Sequence, residues 1–179
     1  MKYCIFGGTF DPITKSHVGI IAALSQYADT VIIPINLCSY YRKNNFMFTF
    51  DTRKKLVEEA CASLNLQNVI VSDIESSLDI DHRYIDTLLA LKKNLPKDAE
   101  VYTVIGADSY NNFKSWASWE KILENSKLLV IPRQKQCKLI KDDKLPFELL
   151  DIKTELFDDG SGTEYRKKLL TQLVYNAVR

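Results

Sequence analysis

A loop between an apolar run and a helix, residues 5–17 (IFGGTFDPITKSH), constrains this chain more than any other stretch. The run before the loop, 3–6, is short and apolar, as expected of a buried strand. Past Pro12 apolar residues recur at helical spacing, which predicts a helix over 15–27. The two glycines allow the backbone to turn sharply and to approach another molecule. A helix start beside such a loop offers unpaired N–H groups and a positive dipole end, which suits a phosphate.

Two familiar phosphate-binding loops do not fit this stretch. It contains no G-x-x-x-x-G-K-[ST] motif, and its glycines lack the spacing of the G-x-G-x-x-G dinucleotide fingerprint. Thr14 and His17 are three residues apart, so they would lie on one face of the first helical turn. The stretch therefore predicts an anion site of another kind, with an ordinary surface histidine as the plain alternative.

Length and charge limit the class of protein. The chain has 179 residues, and we expect a single domain over 1–179. Its 24 basic and 23 acidic residues leave a net charge of +1, so we expect no nucleic-acid or membrane partner. The four cysteines are scattered without metal-binding spacing, which favours a reduced compartment and no metal site. No apolar run approaches the ~20 residues of a membrane helix, so the expected location is cytoplasmic.

Apolar runs alternate with helical periodicity along the whole chain. After the first strand, further strands are predicted at 30–35, 68–72, 101–105, 128–131 and 148–152. This alternation predicts a three-layer α/β/α sandwich, a Rossmann-like fold with a mainly parallel sheet. The expected strand order, 3-2-1-4-5, puts strands one and four side by side, with a ligand cleft at their carboxyl ends.

Two groups of residues are predicted to reach that cleft from the fourth strand and beyond. Gly106 permits close backbone approach, and Asp108 can hold ribose hydroxyls or an adenine amine. Trp116 and Trp119 follow in the next loop. Because Trp119 is followed by apolar residues at helical spacing, it is predicted to pack in the core. Trp116 is the candidate for stacking on a heteroaromatic ring.

A second anion site is predicted near the C terminus, in a helical segment over about 158–179. Ser161, Thr163 and Arg166 supply two hydroxyls and a guanidinium within one turn at a helix start. Either hydroxyl could instead serve only as a helix cap. Two anion sites on one chain favour a bound polyphosphate.

Three basic residues have plain alternatives. In the long loop 36–50, Arg42 and Lys43 are either anion ligands or solvated charges. Arg53, judged by the periodicity of the following helix, is expected to face solvent.

These motifs together resemble the HxGH/TxGH nucleotidyltransferase family. GGTFDP (7–12) leads into the tetrad TKSH (14–17), in which Ser16 stands where that family has glycine, and GSGTEYR (160–166) is similar to its SSTxxR motif. The resemblance implies in-line attack on the α-phosphorus of ATP, with Mg²⁺ held mainly by the phosphates. It implies that the catalytic residues are Thr14, His17, Lys43 and Arg166. The residues it implies for ATP binding are Gly8, Thr9, Phe10, Thr14, His17, Gly106, Asp108, Ser161, Thr163 and Arg166.

The middle of the chain is similar to the nicotinate/nicotinamide mononucleotide adenylyltransferases, in the order DIE (73–75), YIDTL (84–88), GAD (106–108) and Trp116. This similarity runs from Ile5 to about 170 and implies transfer of AMP to a pyridine mononucleotide, with release of pyrophosphate, in NAD biosynthesis. The implied acceptor-binding residues are Arg83, Tyr84, Thr87 and Trp116.

Several alternatives stay open at this point. The family pattern is S-Y-T-x-x-T-L, and here Arg83 and Ile85 replace its Ser and its first Thr. The choice between nicotinate and nicotinamide mononucleotide as acceptor therefore stays open, although Arg83 favours the carboxylate of nicotinate. The leading loop also resembles phosphopantetheine adenylyltransferases of coenzyme A biosynthesis. A non-catalytic nucleotide sensor on the same fold is a further alternative, and homo-oligomerisation is undecided.

Overall fold

Six parallel strands form one sheet in a computed structural model, which describes residues 1–38, 46–78, 83–132 and 137–152. The strands are β1 Lys2–Ile5, β2 Thr30–Pro34, β3 Val69–Ser72, β4 Glu100–Gly106, β5 Lys127–Ile131 and β6 Phe147–Leu149. Their order is β3-β2-β1-β4-β5-β6, and every neighbouring pair is parallel. The predicted order 3-2-1-4-5 is confirmed, and the sixth strand extends the sheet beyond β5.

Helices follow the strands, as the alternating pattern predicts. They are α1 Lys15–Tyr27, α2 Phe50–Ser63, α3 Tyr84–Lys92, α4 Ala107–Asn111 and α5 Trp119–Asn125, with 3₁₀ turns at Ile74–Ser77 and Phe113–Ser115. The predicted bounds of the first helix, 15–27, are confirmed. Across the described ranges, no helix is both long and apolar enough to cross a membrane.

Two apolar clusters pack on the opposite faces of the sheet. Alternation along β1 shows why: Cys4 joins the cluster under α1 and α2, whereas Tyr3 and Ile5 join the cluster under α3 and α5. Leu24 of α1 and Leu88 of α3 are fully buried in these two clusters. Each such leucine stabilises the fold by ~1.5–3 kcal/mol. The result is the predicted three-layer sandwich.

Tyrosine side chains tie the edge strand β6 to the centre of the sheet, toward its amino edge. The hydroxyl of Tyr27, at the end of α1, donates to Oε2 of Glu148 at 2.8 Å, and the hydroxyl of Tyr102 lies 2.9 Å from Oε1 of the same residue. Nζ of Lys2 lies 3.9 Å from the centre of the Tyr27 ring. Burial and the nearby Glu148 carboxylate raise the pKa of both tyrosines. This polar cluster therefore stabilises the end of the sheet away from the predicted cleft.

Candidate active site

The loop after β1 and the start of α4 after β4 lie side by side, because β1 pairs with β4 over residues 2–5 and 100–103. Residues 7–8 follow β1, and Gly106 is the N-cap of α4. Asp108 is exposed in the first turn of α4. The carboxyl edge of the sheet thus places the predicted loop and the Gly-Ala-Asp element next to each other, at the position of the predicted cleft.

The two glycines of the loop have different surroundings. The N–H of Gly8 donates to Pro34 O at 3.4 Å and its carbonyl accepts from Asn36 N at 2.9 Å, so the backbone there extends the pairing with β2. A Cβ on Gly8 would lie 3.1 Å from the Phe10 ring. At Gly7 a Cβ would meet only ordinary contacts, 3.7 Å from Oδ1 of Asn36 and 3.8 Å from the Tyr84 ring. A side chain at Gly8 would therefore press on the Phe10 ring, whereas Gly7 borders the space between Asn36 and Tyr84.

Phe10 places its ring in the core rather than in the cleft. The side chain is 2% exposed, with its ring centre 5.8 Å from Phe6 and 5.2 Å from His17. Its φ of 45° lies in the left-handed region, which costs a non-glycine residue roughly 1–2 kcal/mol. Burial of the ring offsets that cost. A contact of Phe10 with ATP would therefore come from its main chain.

Thr14 and His17 form a reciprocal cap at the start of α1. Thr14 is the N-cap, and its main-chain N–H donates to Nδ1 of His17 at 3.0 Å. The Thr14 hydroxyl lies 2.9 Å from the same nitrogen and accepts from the His17 N–H at 3.5 Å. An imidazole nitrogen that accepts an N–H is unprotonated, so the ring proton is on Nε2. The cap thus orients His17 as a donor through Nε2.

The serine that replaces the family's glycine does not lie on an open surface. Ser16 is 6% exposed, on the first turn of α1. Its side chain is therefore buried within the protein, and it adds no exposed group at the start of the helix.

Three buried charged residues around the cleft carry hydrogen bonds that sequence patterns do not reveal. The Asp11 carboxylate accepts the N–H groups of Met47 and Phe48, both at 3.0 Å. The Glu75 carboxylate accepts from Leu37 N at 2.8 Å. The third residue, Arg53, donates to two main-chain carbonyls. Asp11 belongs to the GGTFDP motif and Glu75 to the DIE motif, but the spacing of those motifs does not indicate these partners.

The expectation that Arg53 faces solvent is wrong. Arg53 is 1% exposed, and its NH1 donates to Thr9 O at 2.6 Å and to Asn36 O at 2.8 Å. Its guanidinium lies 4.2 Å from the centre of the Phe46 ring. Helical periodicity marks the apolar face of α2, but it cannot show that other segments of the chain cover the polar face as well.

Tyr84 and Trp116 lie together on the β4 side of the cleft. Their ring centres are 5.4 Å apart, edge to face, and Trp116 also lies 5.4 Å from Phe113. The Tyr84 hydroxyl donates to Oγ1 of Thr103 at 2.9 Å, and burial raises the pKa of Tyr84. Trp119 begins α5 and packs against the same apolar cluster, as predicted, but Trp116 packs there too.

The other two predicted acceptor residues differ in exposure. Thr87 is 1% exposed, and its hydroxyl donates to Oε1 of Glu75 at 2.8 Å. The hydroxyl therefore orients the buried Glu75 carboxylate. Arg83 is exposed and is the N-cap residue of α3, next to Tyr84. The predicted residues Lys43, Ser161, Thr163 and Arg166 lie outside the described residues.

A parallel sheet whose first strand leads into a helix capped by Thr14 and His17 agrees with the nucleotidyltransferase resemblance of the sequence. The sequence model of the cytidylyltransferase-like family matches residues 5–168. The chain belongs to that family.

Related proteins extend this result. A Fusobacterium nucleatum protein named as a probable nicotinate-nucleotide adenylyltransferase is 34% identical over 180 residues, which cover 94% of this chain and 88% of that protein. Two structures of nicotinic acid mononucleotide adenylyltransferase from Plasmodium falciparum, one with APC and one with NaAD, are each 22% identical. The structure with APC has a TM-score of 0.71, and the match covers 93% of this chain and 82% of that protein. The structure with NaAD has a TM-score of 0.68, and the match covers 85% of this chain and 75% of that protein. At that identity the likeness shows the shared fold.

Proposed function

We propose that this chain is a nicotinate-nucleotide adenylyltransferase, which transfers AMP from ATP to nicotinate mononucleotide and releases pyrophosphate in NAD biosynthesis. The observation that carries the proposal is that two features border the loop after β1, one beside Phe10 and the other beside Gly7. One is His17, oriented through its bond with Thr14 at the start of α1, and the other is the aromatic pair Tyr84 and Trp116 beyond β4. The similarity to the Fusobacterium nucleatum protein supports the choice of acceptor.

The reaction needs no nucleophile from the protein. A phosphate oxygen of the mononucleotide attacks the α-phosphorus of ATP, a new P–O bond forms, and the bond to the departing pyrophosphate breaks. The attacking oxygen is already anionic, so little proton abstraction is required. Catalysis then comes from positioning the two substrates and from stabilising charge on the α-phosphoryl oxygens.

His17 is proposed to supply that stabilisation through Nε2–H. Its Nδ1 is occupied by Thr14, and its ring is held beside Phe10 at 5.2 Å, so the direction of Nε2–H is set before substrate binds. The positive end of the α1 dipole acts on the same phosphates. Thr14, 6% exposed, would assist by orienting His17 and by contact with a phosphate.

The remaining proposed contacts are of two kinds, those with the part of ATP that is transferred and those with the departing pyrophosphate. Gly8, Thr9 and Phe10 would contribute main-chain groups, and Gly106 and Asp108 would bind the adenosine. The proposed contacts with the departing pyrophosphate are those of Lys43, Ser161, Thr163 and Arg166.

Mg²⁺ is proposed to be bound by the phosphate oxygens, whose charge it would neutralise. Within the described ranges no group of three or more His, Cys, Asp or Glu side chains could hold an ion by itself. The proposal rests on the general behaviour of Mg²⁺, which usually binds substrate phosphates together with only one or two protein carboxylates.

The acceptor is proposed to bind with its pyridine ring against Trp116. Arg83, exposed at the start of α3, supports nicotinate over nicotinamide because a guanidinium pairs well with a carboxylate. We also propose a cytoplasmic location, which the four free cysteines support.

A pyrophosphate-release assay tests the function. The protein is given ATP and Mg²⁺ with nicotinate mononucleotide, nicotinamide mononucleotide, phosphopantetheine or no acceptor. We expect release with nicotinate mononucleotide, and His17→Ala serves as the low-activity control. Turnover with phosphopantetheine alone would replace the proposal with the coenzyme A alternative. ATP binding without turnover of any acceptor would identify a nucleotide sensor.

A further inference from the structure

We propose that Arg53 is a positioning residue for the proposed AMP transfer: it fixes two main-chain segments that border the nucleotide cleft, at Thr9 and at Asn36, and touches no substrate itself. This inference rests on the proposed function. It assigns to α2 a part in the reaction, although none of the predicted site residues lies on that helix.

The guanidinium of Arg53 is buried. Arg53 is 1% exposed, so its charge is removed from water and depends on interactions within the protein. One nitrogen, NH1, bonds two carbonyls, Thr9 O at 2.6 Å and Asn36 O at 2.8 Å. These charge-assisted bonds are stronger than bonds between neutral groups. Two loops that are distant in sequence are thus held by one atom.

The bond from Arg53 to the Thr9 carbonyl also sets the direction of the neighbouring peptide group. In a trans peptide the C=O and the following N–H point to opposite sides. Among the described residues the cis peptide bond is at Asp11–Pro12, so the peptide after Thr9 is trans. With the Thr9 carbonyl bound to Arg53, the N–H of Phe10 is directed away from Arg53. Phe10 is one of the proposed main-chain ligands of ATP.

The peptide after Asn36 is held from both sides. Its carbonyl accepts from Arg53 at 2.8 Å, and its N–H, on Leu37, donates to Oε2 of Glu75 at 2.8 Å. Glu75 is 2% exposed and also accepts from Thr87. Two buried groups of opposite charge therefore fix one peptide plane. The side chain of Asn36 lies beside Gly7, at the border of the predicted cleft.

The aromatic surroundings of Arg53 distinguish it from a lysine. The guanidinium lies 4.2 Å from the centre of the Phe46 ring and 5.6 Å from that of Phe50. A flat guanidinium can stack on a ring while its edge bonds two carbonyls, and a lysine ammonium offers no such plane. Phe46 also precedes Met47, whose N–H is bound by Asp11.

The test compares Arg53→Met and Arg53→Lys with the wild type. Lys55→Met is the matched control, since Lys55 is on the same helix but 75% exposed. The kcat, the KM for ATP and the Kd for ATP by calorimetry are measured well below each variant's unfolding temperature. We expect Arg53→Met to raise the KM and the Kd for ATP and to lower kcat/KM by about 10- to 100-fold, as misplacement of groups around the reacting atoms does. Arg53→Lys should recover part of the loss, and Lys55→Met should match the wild type.

The split between KM and kcat separates positioning from simple loss of folded protein. A smaller folded fraction would lower the apparent kcat and leave KM unchanged, and that result would overturn the inference. So would unchanged kinetics and ATP affinity in both Arg53 variants. Arg53→Lys decides the matter if Arg53→Met fails to fold. Failure of the wild type with every acceptor would overturn the proposed function instead, and the ATP affinities would still decide the role of Arg53.

Discussion

The main-chain N–H of Thr14 donates to Nδ1 of His17 at 3.0 Å. This one bond decides what the imidazole can do, because it keeps Nδ1 unprotonated and leaves the proton on Nε2. A neutral ring in that tautomer presents a hydrogen-bond donor to the start of α1. It is suited to bind an anionic oxygen, and poorly suited to remove a proton through Nε2.

His17→Ala should lower kcat by ~10²–10³, the usual cost of losing one preorganised donor to a transition state. The KM for the mononucleotide should hardly change. His17→Gln should recover more activity than His17→Asn. The amide nitrogen of Gln can reach the position of Nε2, whereas the amide nitrogen of the shorter Asn reaches only the position of Nδ1. Steady-state kinetics of the three variants check this. A trapped phosphohistidine or a wild-type kcat in His17→Ala would contradict the role.

Trp116→Ala should raise the KM for the mononucleotide by one to two decades, equivalent to ~1–3 kcal/mol of stacking, without a similar change for ATP. The reason is that Trp116 lies beside Tyr84, another predicted acceptor-binding residue, with 5.4 Å between the two ring centres. Trp119→Ala is the paired control, since Trp119 begins α5 and packs against the core. The two KM values are measured separately for each variant. If Trp119→Ala alone shows the effect, the roles are reversed.

Thr103→Val should weaken acceptor binding although Thr103 is fully buried. Its hydroxyl accepts from Tyr84 at 2.9 Å and lies 2.6 Å from Oγ of Ser126, which donates to Ile122 O at 3.0 Å. Removing the middle hydroxyl leaves that of Tyr84 without its buried acceptor, at a cost of about 1–3 kcal/mol in stability.

Released from that bond, the Tyr84 ring should shift against Trp116, and the KM for the mononucleotide should rise more than that for ATP. Urea unfolding and kinetics measure the two effects. Ser126→Ala, at the far end of the chain of hydroxyls, should lose stability with a smaller change in KM. Equal changes in both substrates' KM values would argue against a link through Tyr84.

The free energy of unfolding should fall as the pH rises above about 9. Burial raises the pKa of the Cys4 thiol from 9.0 to about 12, and burial with Glu148 raises the pKa of Tyr27 and Tyr102 above 10.0. In each case the folded protein keeps a proton that the unfolded chain releases, so stability is complete below the unfolded pKa and is lost above it.

Each such group can contribute a slope of up to about 1.4 kcal/mol per pH unit. Urea unfolding between pH 7 and 11, with a reductant present, measures the total. Cys4→Ala should reduce the loss that begins near pH 9, and Tyr102→Phe the loss above pH 10. A stability that stays constant to pH 11 would show that these groups titrate alike in both states.

Much of the fold follows from short-range patterns. Continuous apolar runs located β1, β2, β4 and β5, because strands buried on both faces carry few polar residues. The edge strands β3 and β6 are more exposed, and β6 lies at 147–149 rather than at the predicted 148–152. The bounds of α1 follow from its apolar spacing and from Thr14, whose side chain caps it. The three-residue separation of Thr14 and His17 predicted one face, and the structure joins them through Nδ1.

What sequence patterns missed depends on partners that are far apart in the chain. Arg53 is buried by the carbonyls of Thr9 and Asn36, and no property of α2 alone announces those acceptors. The bond between Tyr84 and Thr103 likewise joins a helix start to the middle of a strand. Thr87 stands on a helical face next to Tyr84, but the Glu75 carboxylate draws its hydroxyl inward. Periodicity describes one element at a time and cannot specify such contacts.

The hydroxyls that run from Tyr84 through Thr103 to Ser126 have a consequence for redesign of acceptor preference. A mutant library confined to residues that line the cleft would leave the support of Tyr84 unchanged. Because Thr103 and Ser126 are buried, they would be omitted on grounds of distance from the ligand. Directed evolution toward a new mononucleotide should therefore randomise these two positions together with Tyr84 and Trp116, with the interior of β4 treated as part of the specificity determinant.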